Sequence, residues 1–170
     1  MAIREKYNIT DPNYYEIIKD IIQSDLVQSM DKYIQHGNTT TLRHCITVSY
    51  LSYRIAKKLD LDYVSVARAG LLHDFYLYDW HDLPKEKNLF KKHGFTHPKK
   101  AFENANKYFK MNEIEKDIIV KHMWPLTLRS IPKYRESVIV SLVDKYLSTK
   151  ETIGPYLVEL KNMIYEVNPK

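Results

Sequence analysis

Cysteine is nearly missing from this chain: Cys45 stands alone among 170 residues. That excludes an internal disulfide and suits a reducing compartment. Glycine and proline are scarce, at 4 and 7 residues, too little punctuation for a many-stranded β protein and comfortable for long helices. No apolar run approaches the roughly 20 residues that a bilayer-spanning helix needs, and Met1 to Thr10 lack the apolar stretch of a signal peptide. The expectation is a cytoplasmic protein with no membrane partner. Charge of one sign is not in great excess either. The net value of +5 favours anionic ligands without choosing between nucleotide and nucleic acid.

What the chain does have is helical periodicity. Asp11-Pro12 opens a stretch to about Ser24, and Asp25 caps a second from Leu26 to Ile34. Gln35-His36-Gly37-Asn38 breaks the pattern, and Thr40 or Thr41 starts a helix to about Leu59. Asp60 or Asp62 starts another through Phe75. Leu77 to Thr96 reads as loop with at most one short helix, and Thr96-His97-Pro98 as the start of a helix to Phe109. Asn112 and Glu115 have capping-box spacing for a helix to about Met123, and Arg135–Thr149 and Ile153–Val167 complete the set. No strand pair is expected. The fold class is all-α, in one domain over residues 1–170, with 44% hydrophobic residues to build its core.

Polar residues interrupt the apolar faces at telling places. His44 points the same way as Val48, Leu51 and Ile55, toward the core, while Arg43, Thr47, Arg54 and Lys58 point away. The following segment is apolar nearly all round (Val64, Val66, Ala67, Ala69, Gly70, Leu71, Leu72) yet ends in His73-Asp74. An unpaired buried carboxylate costs several kcal/mol, on the order of a domain's whole stability margin. A lysine or arginine would answer Asp74, and so would a divalent metal, which also accounts for the adjacent histidine. His122 falls on the stripe Ile114, Ile118, His122, and Asp144 interrupts an apolar run on the side of Ser137 and Ser141. His97 opens a helix behind a capping threonine. One buried histidine is ordinarily a hydrogen-bonded core residue, but four histidines and two aspartates facing inward are a metal-ligand set. Imidazole with carboxylate suits Fe, Mn or another transition ion, and six ligands suffice for two ions with open positions.

The order His44, His73-Asp74, His97, His122, Asp144 resembles the HD superfamily of metal-dependent phosphohydrolases. Ala69-Gly70-Leu71-Leu72 before the pair, His97 with Ala101, and Val143-Asp144-Lys145 are similar to that family's local wording. The resemblance implies a helical bundle with a central metal site: a motif core at 40–149 flanked by helices at 12–35 and 151–167. It also implies hydrolysis of a phosphomonoester, phosphodiester or phosphoanhydride of a small phosphorylated metabolite, such as a nucleotide, by metal-activated water. The six-ligand form is similar to that of diadenosine tetraphosphate hydrolases, and QHGNTT, LLHDFYLYDW and KHMWPL look like small HD proteins from Firmicutes. Many relatives follow the pair with Ile-Gly-Lys. Here Phe75-Tyr76-Leu77 stands instead, and a Gly-Tyr-Pro tripeptide is missing, which argues against the cyclic di-GMP branch.

On this reading His44, His73, Asp74 and Asp144 hold one ion, Asp74 bridges, and His97 and His122 complete a second site. Fe or Mn comes first among the metals, with Mg, Co, Ni or Zn as alternatives. His36, eight residues before His44, is the added candidate for donating to phosphate or leaving group, and a loop-surface histidine is the competing reading. Lys145, Arg68 and Lys99 are candidate substrate contacts, Lys99 from a basic stretch with Lys85, Lys87, Lys91, Lys92 and Lys100. His93 ranks behind His97 because it precedes Gly94 in expected loop. Phe75, Tyr76, Tyr78, Trp80 and Trp124 wall a base pocket or simply pack loops. Two other functions stay open: a di-iron oxygenase, whose ligands are alike, and a non-catalytic metal-containing module binding nucleotide or nucleic acid. Nucleic acid is the less expected partner.

Overall fold

A computed structural model describes residues 3–84, 87–88 and 93–167. The short α1 (Ile3–Lys6) precedes α2 (Pro12–Ile22), whose cap Asp11 accepts the amides of Asn13 and Tyr14. The expected helix at 26–34 is instead α3 (Asp25–Gln28), a 3-10 turn (Ser29–Lys32) and a strand. That strand, β1 (Ile34–His36), pairs antiparallel with β2 (Thr39–Thr40) around Gly37, whose positive φ of 56° makes the reversal possible. A hairpin therefore stands where no strand pair was expected.

The bundle centre is α4 (Thr41–Lys58) packed along α5 (Tyr63–Leu72). Thr40 caps α4 by accepting the Arg43 amide, and Asp62 caps α5 by accepting the Ser65 amide. Leu42, Cys45, Val48, Tyr53 and Ala56 of α4 are buried against Val66, Ala67, Ala69, Leu71 and Leu72 of α5, whereas Leu51 and Ile55 are half-buried at the edge. The two helices come close enough at Gly70 that a Cβ there would lie 2.9 Å from the Ser49 Cα. Ser49 stitches the same crossing, donating to the Ala67 carbonyl at 2.6 Å and accepting from Tyr14 at 2.8 Å.

Next, α6 is His93–Tyr108, α7 is Glu113–Lys121 with the Asn112/Glu115 capping box in place, and α8 is Arg135–Val167. Two expectations shift. Helix α6 begins at His93, so His97 lies one turn inside it and Thr96 is not its cap. Helix α8 continues through Gly154-Pro155, where two helices were expected. Lys85, Lys91 and Lys92 lie outside the described residues. Between α7 and α8, Asp117 holds the connecting segment by accepting the Lys133 amide and the Ser137 hydroxyl. The fold is all-α apart from the hairpin. Among the described residues no helix is long and apolar enough to cross a membrane.

Candidate metal centre

Five structural segments deliver the inward polar residues to one place. His44 comes from the first turn of α4. Helix α5 ends at Leu72, His73 is its C-cap, and Asp74 follows as the chain leaves helical geometry. This ending lets adjacent residues converge, which a regular helix forbids. His97 comes from α6, His122 from the C-cap of α7, and Asp144 from the third turn of α8. All six are buried, none more than 5% exposed.

They form two neighbouring groups, His44–His73–Asp144 and Asp74–His97–His122, each with ligand atoms within 4.8 Å of one another. Asp74 joins them. Its Oδ2 lies 3.3 Å from His73 Nε2, while its Oδ1 lies 3.1 Å from His97 Nε2 and 3.5 Å from His122 Nε2. One carboxylate oxygen thus faces each group, the geometry of a bridging ligand.

The tautomers are dictated by the backbone. His73 Nδ1 lies 2.8 Å from the Gly70 carbonyl, His97 Nδ1 2.8 Å from the His93 carbonyl, and His122 Nδ1 2.8 Å from the Ile119 carbonyl. A carbonyl only accepts, so each Nδ1 carries the proton, and in the neutral ring, the form that binds a metal, each Nε2 turns a lone pair inward. His97 Nε2 and His122 Nε2 then face each other at 2.7 Å, two acceptors with nothing to share unless a cation joins them. The same reasoning explains why His73 Nε2 and Asp74 Oδ1 are buried without a hydrogen-bond partner. The donor set fits a divalent transition ion.

Electrostatics agree. Burial opposes charge on His44, yet hydrogen bonds to Asp144 and Glu151 push its pKa up to about 10. Burial would raise both aspartates, but His73 and His97 hold Asp74 well below the usual carboxylate range, and His44 and His73 do the same for Asp144. Burial, then His97, pushes His122 well down. The carboxylates need positive charge here, and a metal ion competes with protons for that role.

Two supporting residues escaped the sequence analysis. Glu151 Oε2 accepts from His44 Nδ1 at 2.9 Å, and Gln35 donates to Asp74 Oδ2 at 2.6 Å. Thr41 and the Tyr76 hydroxyl in turn donate to Gln35 Oε1. Glu151 lies seven residues after Asp144, two turns along one helix face, a signal legible only if α8 is continuous. Cys45 also sits with His73 and Asp74 as a third close group. Carboxylate support of this kind is worth about 10- to 100-fold in metal affinity. Glu151→Ala should therefore weaken metal binding by that factor, with Glu151→Gln in between. Competition against a chromophoric chelator checks this, and equal affinity in all three proteins would deny Glu151 the role.

The centre opens into a cavity of about 390 Å3 whose wall includes His36, Trp80, His93, Met123, Leu126, Lys145 and Ser148. His36 stands at the end of β1 and meets His44 edge-on at 5.6 Å. Burial and His44 lower its pKa. Lys145 Nζ reaches Asp144 Oδ2 at 2.5 Å and the His122 carbonyl at 3.1 Å. Two sequence candidates lie elsewhere. Arg68 is spent on Asp20 and Glu115, at 2.8 and 3.0 Å, because its position on α5 faces α2 and α7. Lys99 is exposed on the outer face of α6 beside Glu103. His93 stacks on His97 at 4.6 Å without joining either ligand group, and Phe75 packs into the core against Phe109.

A family model for the HD domain matches residues 41–149. No curated protein and no solved structure matches the chain. Gln35 and His36 precede the matched segment and Glu151 follows it. Since the match takes in more than half of the chain and all six buried His and Asp ligand candidates, the chain belongs to the HD domain family.

Proposed function

We propose that this protein is a phosphohydrolase that uses two divalent ions, Fe or Mn, to cleave a phosphate ester or anhydride bond in a small metabolite. One observation carries the reading: Asp74 turns one oxygen toward each of two ligand groups that open into a single small cavity. Ions bound there would lower the pKa of a water and neutralise charge developing on the phosphoryl oxygens. The protein's own part is to hold that arrangement rigidly. Backbone carbonyls fix three imidazoles, Gln35 fixes Asp74, and Glu151 fixes His44. Lys145 sets a positive charge beside the phosphoryl position. His36, kept neutral by burial, supplies a hydrogen bond to phosphate or to the departing oxygen.

Elemental analysis of the purified protein, followed by a phosphate-release screen with added Mn or Fe, tests this. Nucleotides, dinucleoside polyphosphates and sugar phosphates form the panel. The expected result is release from at least one class that stops when a chelator is added. A filled centre with no phosphate released from any of them would sink the reading. Oxygen uptake by the iron-loaded protein under those conditions would put an oxygenase in its place.

A further inference from the structure

Helix α8 has 33 residues and is about 50 Å long, whereas α4, along which it packs, has 18 and is about 27 Å long. The inner face of α8 is spent on the fold and the centre: Val140, Val143, Asp144 and Leu147 are buried, and Glu151 turns to His44. Its opposite face is not polar, as the outer face of a surface helix ordinarily is. Leu142 keeps 53% of its surface exposed, Tyr146 61% and Ile153 45%. With Thr149, also exposed, they recur at intervals of four, three and four residues, within about 60° of one another around the helix. That is a period of about 3.5, the spacing of a seam between two helices. In the sequence the same spacing runs on at Tyr156, Leu160, Met163 and Val167. It is thus sustained for more than about three heptads, with Thr149 as its one polar member. Pro155 falls outside it. Tyr146, Thr149 and Ile153, with Lys145, Lys150 and Gly154, line a shallow groove on this face.

We infer that this face pairs with the same face of a second copy of the chain, antiparallel, about a two-fold axis at the middle of the stripe near Gly154. A two-fold interface must be complementary to itself, and a heptad stripe meets that condition. Charge fixes the direction. Along the first half of α8 the exposed charges are the cations Arg135 and Lys150, since Glu136 and Asp144 are buried and Glu151 is turned to His44. The second half carries Glu159, Lys161 and Glu166 in sequence. A parallel pair would set each cation beside its own copy, and an antiparallel pair sets the cationic half along the more acidic one. Lys145 borders both this groove and the cavity of the centre, so the second copy would stand beside the cavity mouth. The inference goes beyond the phosphohydrolase reading and does not depend on it.

Sedimentation of the full chain over a range of concentrations tests the pairing. The unsubstituted protein should sediment at twice the 20.2 kDa of one chain. Each residue counts twice in a two-fold contact, so Leu142→Glu and Tyr146→Glu should each weaken association by at least about a hundredfold. Both positions are exposed, so helical circular dichroism and metal content should stay the same. Cys45 is buried, which lets a short bis-maleimide report on introduced cysteines. It should join two Ile153→Cys chains and not two Arg135→Cys chains. A monomer at every concentration overturns the pairing, and flotation of that monomer with anionic vesicles would assign the face to lipid instead. A dimer that both glutamate variants leave intact overturns this interface, and crosslinking through Arg135→Cys overturns the antiparallel order.

Discussion

Asp74→Ala is expected to empty the centre and to lower phosphate release by at least about a hundredfold. This carboxylate faces both ligand groups, so on the proposed two-ion reading its removal takes a ligand from each ion at once. His97→Ala should do less, costing one ion and leaving His44, His73 and Asp144 to hold the other. The Asp74→Ala protein should still fold. Its main structural cost is a Gln35 amide left without its acceptor, about 1–3 kcal/mol, against a usual domain stability of about 5–15 kcal/mol. Metal content by elemental analysis, helical circular dichroism and phosphate release are the three measurements. A folded Asp74→Ala protein that keeps both its metal and its activity would refute the bridging role.

Gly70→Ala should weaken both the fold and the centre. The added methyl would meet the Ser49 Cα at 2.9 Å. That neighbour is backbone and cannot rotate aside, so α4 and α5 must part by several tenths of an ångström. Overpacking of this sort costs about 1–3 kcal/mol, and alanine's better helix propensity returns at most about 1 kcal/mol. A net loss near 1 kcal/mol lowers Tm by about 2–4 °C in a chain of this size. The second effect follows from His73 Nδ1, which donates to the Gly70 carbonyl. Moving that carbonyl turns the imidazole, so metal affinity should fall as well. Trimming Ser49 to alanine in the same protein should not rescue it, since the clash is with Cα. Recovery in that double variant would place the conflict in the serine side chain instead.

The inward histidines and aspartates were legible because burial direction is a local property. In a helix of known phase, His44 shares a side with Val48, and His122 with Ile118. An inward polar residue therefore declares itself without knowledge of its partner. Caps were legible for a similar reason, since Asp62, Thr40 and Asn112 each bond an amide within three residues. The hairpin at 34–40 was not. Three residues paired with two across Gly37 carry too short a pattern to show a period of two. The start of α6 was misplaced because Thr96-Pro98 imitates a cap, and the helix instead extends a turn earlier to His93. That turn matters, because the His93 carbonyl fixes the tautomer of His97.

The amino-acid sequence by itself determined which side chains face inward, where most helices begin, and that buried carboxylates among buried imidazoles require a cation. Each of those follows from period, capping and the cost of desolvating charge. Only the tertiary structure decided how the six candidate ligands divide, with one oxygen of Asp74 turned toward each group. It alone brought Gln35 to Asp74 and Glu151 to His44 across 39 and 107 residues of chain and withdrew Arg68 to Asp20 and Glu115. The physical reason is that helical periodicity gives a side chain's direction from its own axis. The partner it meets depends on how separate helices cross, and here that crossing is set by the close contact of Gly70 with Ser49.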